Sequence, residues 1–543
     1  MKYYHKLFAG AIILSSTLLV NSCRSKLDVT PYTSLVNTTA YTTPEKCLLA
    51  LYGVYDAAQS GTYDPLNGTA TSVRGYPFGA ASIEQGDMRG EDMVNVATFY
   101  QITYTSTYNT TSPNNVNMWK ELYALVNKAN LSIAGFKGAS ASGILTNTVA
   151  NQYEGECRFL RALAHHELLL HFARPYADNN GASLGVPYRD FPIESAASVE
   201  LATTKPRETV AEVYAKILAD LDFAESNMPA TLGTGSINTY RATKAAAIAL
   251  KMRVKLHMGD WAGVTTEGSK IIPANINPQA WTSVVSPIGN WALTANPDGP
   301  FASFGTGSSE SIFSIKNDAL DNPGVNAALA RMYGSSSSGG RGLVAISPIV
   351  WNLPEWTCTD KRRTLYADGT DGNNATNKFT KKYTDVVNMS DYAPIIRYAE
   401  VLLTQAEAEA RKNANPTQRA VDLLNTVRNR SLAAPATDAY TLASFPTQTA
   451  LLNAILKERR IEFLAEGKRW GDIHRLSLDP AFSTNGIPAK MANGFANIGA
   501  FVCAGSVPAT GVAAIPYSDY RFLWPIPQQE RNTNPIIEQN PGY

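Results

Sequence analysis

Three kinds of residue in this chain have the types and spacing to do chemistry. The first is histidine beside carboxylate: His166-Glu167-Leu-Leu-Leu-His171 has the composition of a helix-borne zinc motif. Its histidines stand five positions apart, whereas a spacing of four puts both imidazoles on one helix face, so no metal site is expected there. The second is the charge-dense stretch 458–475, in which Arg459 falls on the same helical stripe as Ile455 and Phe463. A charge on that stripe has to be paired, with Glu400, Glu407 or Glu462 as the available partners, because an isolated buried charge is very costly. Structural pairing is likewise the reading for Arg158 and Arg161, and Trp470 reads as a core anchor. The third kind is aromatic. Trp and Tyr faces stack on the C–H faces of sugar rings, while Asn, Asp and Arg bond the hydroxyls. Arg74, Tyr76, Asp87, Phe99 and Tyr100 in one stretch, and Trp281, Trp291 and Trp351 in another, are the candidate ligand-binding residues.

Signatures of catalysis are missing. The chain contains no phosphate-binding loop, and no pair of carboxylates is marked out for glycoside hydrolysis. Oxygen ligands in 368–374 lack the EF-hand pattern, so neither metal nor cofactor is expected.

The elements that must position these residues are mainly helical. Thr43 or Thr42 caps a helix beginning near Pro44, with Leu48, Leu51, Val54 and Tyr55 on one face. Further helices are expected over about 116–136, 148–172, 208–227 and 242–258, and Gly259-Asp260-Trp261 turns the chain into a short helix ending near Ile272. Ile396, Ala399, Leu403, Ala406 and Ala410 then step by three and four, and Asn415-Pro416 turns the chain into a partner helix carrying Ala420, Leu424 and Val427. Helix, tight turn, helix is the habit of tetratricopeptide-like pairs, here degenerate because no fixed period links them. Two long stretches, about 61–115 and 273–391, are rich in Gly, Ser, Thr, Asn, Asp and Pro and read as irregular loop insertions. Within them 334–340 and 368–374 read as plain loop.

Composition and ends bound the class. Only 17% of the 543 residues are charged, against about 25% in ordinary proteins. A hydrophobic share of 44% excludes a disordered chain, and a net charge of +1 without a Lys/Arg run argues against nucleic acid as the partner. Lys2 and Lys6 precede an uncharged stretch over 7–20, which is short for a membrane span and right for a signal peptide. Val20-Asn21-Ser22-Cys23 follows and resembles a bacterial lipobox, so 1–22 is expected to be removed and Cys23 acylated, palmitate included. Multiple acyl chains would hold the protein on a membrane, at about 0.8 kcal/mol per buried methylene. The charge-free stretch 491–518 is broken by Gly and Pro and reads as a loop-rich strip. Cys47, Cys157, Cys358 and Cys503 form no C-x-x-C motif, and the sequence leaves their disulfide pairing open.

Four stretches together resemble one family. They are Cys23-Arg-Ser-Lys-Leu-Asp-Val-Thr-Pro31; Arg158-Phe-Leu-Arg-Ala-Leu163 with Gly185-Val-Pro187; Pro394-Ile-Ile-Arg-Tyr-Ala-Glu-Val-Leu-Leu-Thr-Gln-Ala-Glu-Ala408; and the 458–475 stretch with the ending Leu523-Trp-Pro-Ile-Pro527 through Tyr543. In order and spacing the chain is similar to SusD/RagB lipoproteins. That resemblance implies one helical domain over 23–543 with tetratricopeptide-like pairs and ligand-facing loops, anchored in the outer membrane through Cys23 and facing the cell exterior. It implies a non-enzymatic protein that binds a glycan or oligosaccharide and delivers it to a SusC-like TonB-dependent transporter. Peptide or another small nutrient is the alternative cargo on the same fold, and a glycoside hydrolase is the more distant alternative. Arg24 and Lys26 stand where the family often carries acidic residues, and the first insertion has no tryptophan, which speaks against starch itself.

Overall fold

The computed structural model describes residues 37–61, 75–302 and 308–543. The leader, Cys23 and Arg74 lie outside the described residues. Helix starts follow local chemistry. Thr43 accepts the Lys46 amide at 3.3 Å and Pro44 occupies the first turn of α1 (Pro44–Ser60), as the sequence suggests. A short α2 (Ala80–Met88) is followed by the long helices α3 (Pro113–Ala141) and α4 (Asn147–Phe172). Ser195 and Thr209 form capping boxes that open α5 (Ala196–Thr203) and α6 (Val210–Asn227). Left-handed Gly259 (φ 72°) ends α7 (Lys244–Met258), and Asp260 accepts the Gly263 amide at 2.8 Å to start α8 (Trp261–Ile271). After the second insertion come α9 (Tyr398–Lys412), α10 (Gln418–Asn429), α11 (Gln448–Glu462) and α12 (Arg469–Arg475).

The helices pack as a chain of neighbours: α1 on α3, α3 on α4, α4 on α6, α6 on α7, α7 on α8, α8 on α9, and α9 on both α10 and α11. This is the tetratricopeptide-like scaffold. One apolar cluster threads it, including Leu51, Leu122, Leu160, Ile217, Leu250 and Leu403, each fully buried. Each such side chain contributes about 1.5–3 kcal/mol relative to exposure. Among the described residues no helix is long and apolar enough to cross a membrane.

The two stretches read as irregular carry more structure than their composition suggests. Among the described residues eight short strands pair two by two, the first five of them within these stretches: β1 (Met93–Asn95), β2 (Ser311–Ile315), β3 (Val344–Ile346), β4 (Tyr366–Thr370), β5 (Thr376–Thr380), β6 (Ala393–Arg397), β7 (Gly486–Ile487) and β8 (Ile515–Pro516). The antiparallel ladders join β1 to β3, β2 to β6, β4 to β5 and β7 to β8. β1 pairs with β3 so that Met93 faces Ile346, which ties the first insertion to the second. The Asp/Asn/Gly run at 368–374, expected as plain loop, is the end of a hairpin. Asp371 accepts the amides of Asn373 at 2.8 Å and Ala375 at 3.0 Å, and Asn374 takes a left-handed φ of 62°. The 491–518 strip is pinned by the Lys490–Val512 bridge and by a disulfide between Cys358 and Cys503, while Cys47 and Cys157 are free and buried.

The 458–475 stretch is structural, as its pairing requirement implies, but one partner differs from expectation. Arg459 bonds Asp472 at 3.0 and 3.1 Å, one helix further along the chain. The three expected acids are engaged elsewhere: Glu400 by Arg253, Glu407 by Arg475 and Arg411, and Glu462 by Arg397, Arg430 and Arg362. Arg397 also reaches Glu310 at 2.5 Å and Glu466 at 2.8 Å, so a buried ionic lattice welds β2, β6, α10 and α11 together. Periodicity shows which side chain faces inward, not which of several acids lies opposite. Arg158 and Arg161 are both bound to Asp220, and Trp470 donates to the Leu170 carbonyl at 2.8 Å with the Arg89 guanidinium 3.5 Å from its ring.

Candidate ligand-binding site

The residues proposed for ligand contact fall into three separate places. Tyr76, Asp87, Phe99 and Tyr100 gather around α2, all of whose residues are buried. The Gln85 amide donates to the Tyr76 hydroxyl at 3.2 Å, and the rings of Phe99 and Tyr100 meet edge-on at 4.8 Å. Tyr76 and Tyr100 have at most 1% of their surface exposed, so they present no face for stacking. Phe99 is half-buried beneath Arg341, whose guanidinium lies 5.1 Å from its ring. Asp87 is closed in as well. It accepts from the Tyr333 hydroxyl and from the Gly467 amide at 3.1 Å, and burial pushes its pKa up to about 7 against those two bonds. The same burial holds neighbouring Glu84 well above the usual carboxylate range.

Trp351 ends the helical turn Pro348–Trp351 that follows β3. It packs against Trp356 at 5.2 Å, and Arg363 and Lys378 each stand 4.5 Å from its ring centroid. Only 9% of it is exposed, so its ring is occupied by the protein's own cations. Trp281, half-buried, packs on α10, and Trp291 is buried under the tight turn at Gly289. The two do not join Trp351 in one platform. A long apolar ring is drawn under a loop by the area it removes from water, and composition alone does not separate such a ring from one that faces outward.

An open cleft of about 300 Å³ lies instead beside the first group. One wall is the serine run at 335–338, whose composition alone suggests plain loop. Ser335 caps a 3-10 turn over Ser336–Ser338, and the Ser337 hydroxyl accepts the Thr370 amide at 3.2 Å. The other wall is the β4–β5 hairpin, which contributes Asp368 with 57% of its side chain exposed, followed by exposed Lys381. Tyr383 forms the floor. Its ring stacks on Tyr333 at 5.7 Å and its hydroxyl donates to the Ala465 carbonyl at 3.1 Å, so Asp87, Tyr333 and Tyr383 form one buttress behind the cleft. Tyr383 is itself only 4% exposed, so the cleft offers hydroxyls, a carboxylate and an ammonium, groups that hydrogen-bond a polyhydroxylated ligand, over a buried aromatic support. The signal available in sequence was the hydroxyl density of 335–338, which composition alone assigns to a turn.

The histidines among the described residues form no catalytic arrangement. His166 and His257 meet edge-on at 4.9 Å inside the core, and burial lowers His166 to about 3 and His257 well below its ordinary value. His171 contacts Glu167 at 3.2 Å, on a different side of α4 from His166. Among the described residues no three His, Cys, Asp or Glu side chains gather as a metal site.

Comparison with known proteins gives concordant matches. A family described as "SusD family" matches residues 361–543, and one described as "Starch-binding associating with outer membrane" matches 27–256. SusD-like protein P2 of Formosa agariphila is 26% identical over 465 residues, 78% of this chain and 80% of that protein. SusD-like protein P38 of the same organism is 24% identical and aligns over the full length of both chains. Among solved structures, a SusD superfamily protein from Bacteroides fragilis is 26% identical with a TM-score of 0.71, covering 92% of this chain and all of that one. Surface glycan-binding protein A from Bacteroides uniformis shares the fold at a TM-score of 0.65 and 19% identity, over 92% of this chain and 99% of that one. Helical scaffold, sequence matches in both halves and near-complete structural overlap lead to one assignment: the chain belongs to the SusD/RagB superfamily of outer-membrane nutrient-binding proteins.

Proposed function

We propose that the protein captures oligosaccharides at the outer membrane and passes them to a SusC-like TonB-dependent transporter, without catalysing a reaction on them. Family membership supports the general role. The observation that carries the glycan reading is the cleft between Ser335–Ser338 and the β4–β5 hairpin, where hydroxyls, Asp368 and Lys381 surround the Tyr383 floor. In this reading 1–22 is the signal peptide, 23–543 is the mature domain, and acylated Cys23 tethers it facing the cell exterior. Arg74 from the first insertion is retained as a ligand contact. Phe99 and Trp351 are retained as contacts only where Arg341, Arg363 and Lys378 swing aside, and Trp281 through its half-buried face.

Calorimetric titration of the mature protein against purified neutral oligosaccharides tests this function. At least one should give saturable binding, and Ser337→Trp, which fills the cleft from an exposed position, should weaken it about tenfold or more, equivalent to about 1.4 kcal/mol. Absence of binding to every glycan, with saturable binding to short peptides, would replace the carbohydrate reading by the peptide one.

A further inference from the structure

A second pocket, of about 220 Å³, lies where the C-terminal half of α1 meets the end of β2 and the helical turn Ile237–Tyr240. Its inner wall is written into the sequence at helical spacing. Tyr52, Tyr55, Asp56 and Gln59 stand at i, i+3, i+4 and i+7 and share one side of α1, while Cys47, Leu51, Val54 and Ala58 bury the other.

The wall is rigid. Tyr55 donates its hydroxyl proton to Glu156 at 2.7 Å and accepts the Ala242 amide at 2.9 Å. The Gln59 amide donates to the Lys316 carbonyl at 2.9 Å and to Asn317 at 3.0 Å, which clamps the segment after β2 onto α1. Rings on both sides then face the space. Tyr52 has the Arg241 guanidinium 5.7 Å from its ring, and Tyr240 has the Lys316 ammonium at 5.5 Å. Neither the Tyr52 nor the Tyr240 hydroxyl has a hydrogen-bond partner among the described residues. Lys316 bonds Asp318 at 2.9 Å and keeps 43% of its side chain exposed. Asp321 completes the rim, its carboxyl raised by burial and by the Asp318 charge.

We infer that this pocket is a carbohydrate subsite taking one uncharged sugar ring, an inference that rests on the glycan reading given above. Tyr52 and Tyr240 offer ring faces and unused hydroxyls, Lys316 donates to sugar oxygens, and Asp321 accepts from sugar hydroxyls. Charge selects the class. A uronic acid or sulfated sugar would meet the carboxylates of Asp318 and Asp321, whereas a neutral ring bonds Lys316 and Asp321 alike. The segment 316–330 runs from this pocket to the serine-walled cleft, to which it contributes Ala330, so both sites border one loop.

Hydroxyl-radical footprinting with calorimetry separates the possibilities. The mature protein is probed alone and with malto-, cello-, laminari-, xylo- and mannohexaose in turn. With a hexaose that binds, oxidation of Tyr52 and Tyr240 should fall, Lys316→Ala should weaken binding about tenfold through one lost charged hydrogen bond, and Tyr240→Ala should do so while Tyr240→Phe retains most of it. Melting curves establish that the variants are folded. If a hexaose binds but Tyr52 and Tyr240 stay unprotected and both Lys316→Ala and Tyr240→Ala bind it like the parent, the pocket is overturned and the glycan function stands. If none of the five binds, the pocket and the glycan reading fail together.

Discussion

Replacing Arg397 by Met removes the hub of the buried ionic lattice and gives a quantitative test of how that lattice works. The guanidinium bonds Glu310 at 2.5 Å, Glu462 at 3.0 Å and Glu466 at 2.8 Å, and all four side chains are at most 3% exposed. Breaking a buried pair from one side costs about 3–5 kcal/mol, since a charge is stranded away from water. Here each acid keeps another cation: Arg430 for Glu310 and Glu462, Arg362 also for Glu462, and Lys382 for Glu466. The lower end, about 3 kcal/mol at pH 7, is therefore expected. Loss of one positive charge also removes the leading attraction that holds Glu466 below its ordinary range, so its pKa climbs in the variant. In the parent a depressed carboxylate gives stability above about pH 4.3 that is lost on acidification, whereas in the variant that group takes up its proton earlier. The deficit should accordingly shrink between pH 7 and pH 5, by up to about 1.4 kcal/mol per pH unit below the new pKa. Guanidinium unfolding of parent and variant, followed by tryptophan fluorescence at both pH values, measures this. A deficit below about 1 kcal/mol, or the same deficit at both pH values, refutes the reasoning.

Other perturbations follow from the same physics. Asp87, at about 7 in the fold, gives stability that is present below about pH 4 and lost as pH rises through 7; Asp87→Asn should thus gain about 2–3 kcal/mol on the parent between pH 5 and 7, read from unfolding midpoints. Glu400 and Glu91, both held at about 2 against their burial by arginines, contribute stability above about pH 4.3 that disappears as pH falls toward 2, and double Gln replacement should flatten that part of an acid titration by circular dichroism. Cys358→Ser with Cys503→Ser opens a loop of 145 residues, for which chain entropy sets a ceiling of about 5 kcal/mol, and the thermal midpoint should fall below that of the oxidised parent. Arg521→Ala removes an exposed pair with Asp519 and should change stability by under about 1 kcal/mol.

The scaffold was legible because helices are local objects. The Thr43-Pro44 start, the Gly259-Asp260 turn and the three-and-four stepping of 399–410 each report on neighbours within a few residues, and the helices stand within a few residues of where those signals put them. Ile396 was the exception; its apolar spacing joins the helix, but its backbone belongs to β6, paired with β2. What was not legible depends on distant pairing. The Met93–Ile346 register, the choice of Cys503 for Cys358 and the choice of Asp472 for Arg459 are settled by which segments meet, and several partners were chemically equivalent in sequence. Loop aromatics were the weakest guide to the site. Tyr100 and Trp291 are as apolar and as loop-borne as an exposed stacking ring, yet both are core, while the cleft is walled by serines that carry no hydrophobic signal. Tyr55 falls within the apolar spacing of α1, although its i+1 and i+4 companions Asp56 and Gln59 mark the polar pocket beside it.

The state of the four described cysteines has a practical corollary for measurement. Cys358 and Cys503 are consumed by their bond, and Cys47 and Cys157 are sealed at 0% exposure, so the described surface of the oxidised protein offers no thiol to an alkylating dye. A single cysteine introduced at Ser337 or Lys316 is therefore addressable on its own in a chain lacking Cys23. Paired fluorophores at those two positions turn the loop between the cleft and the tyrosine pocket into a ruler, able to report whether one oligosaccharide draws both sites together.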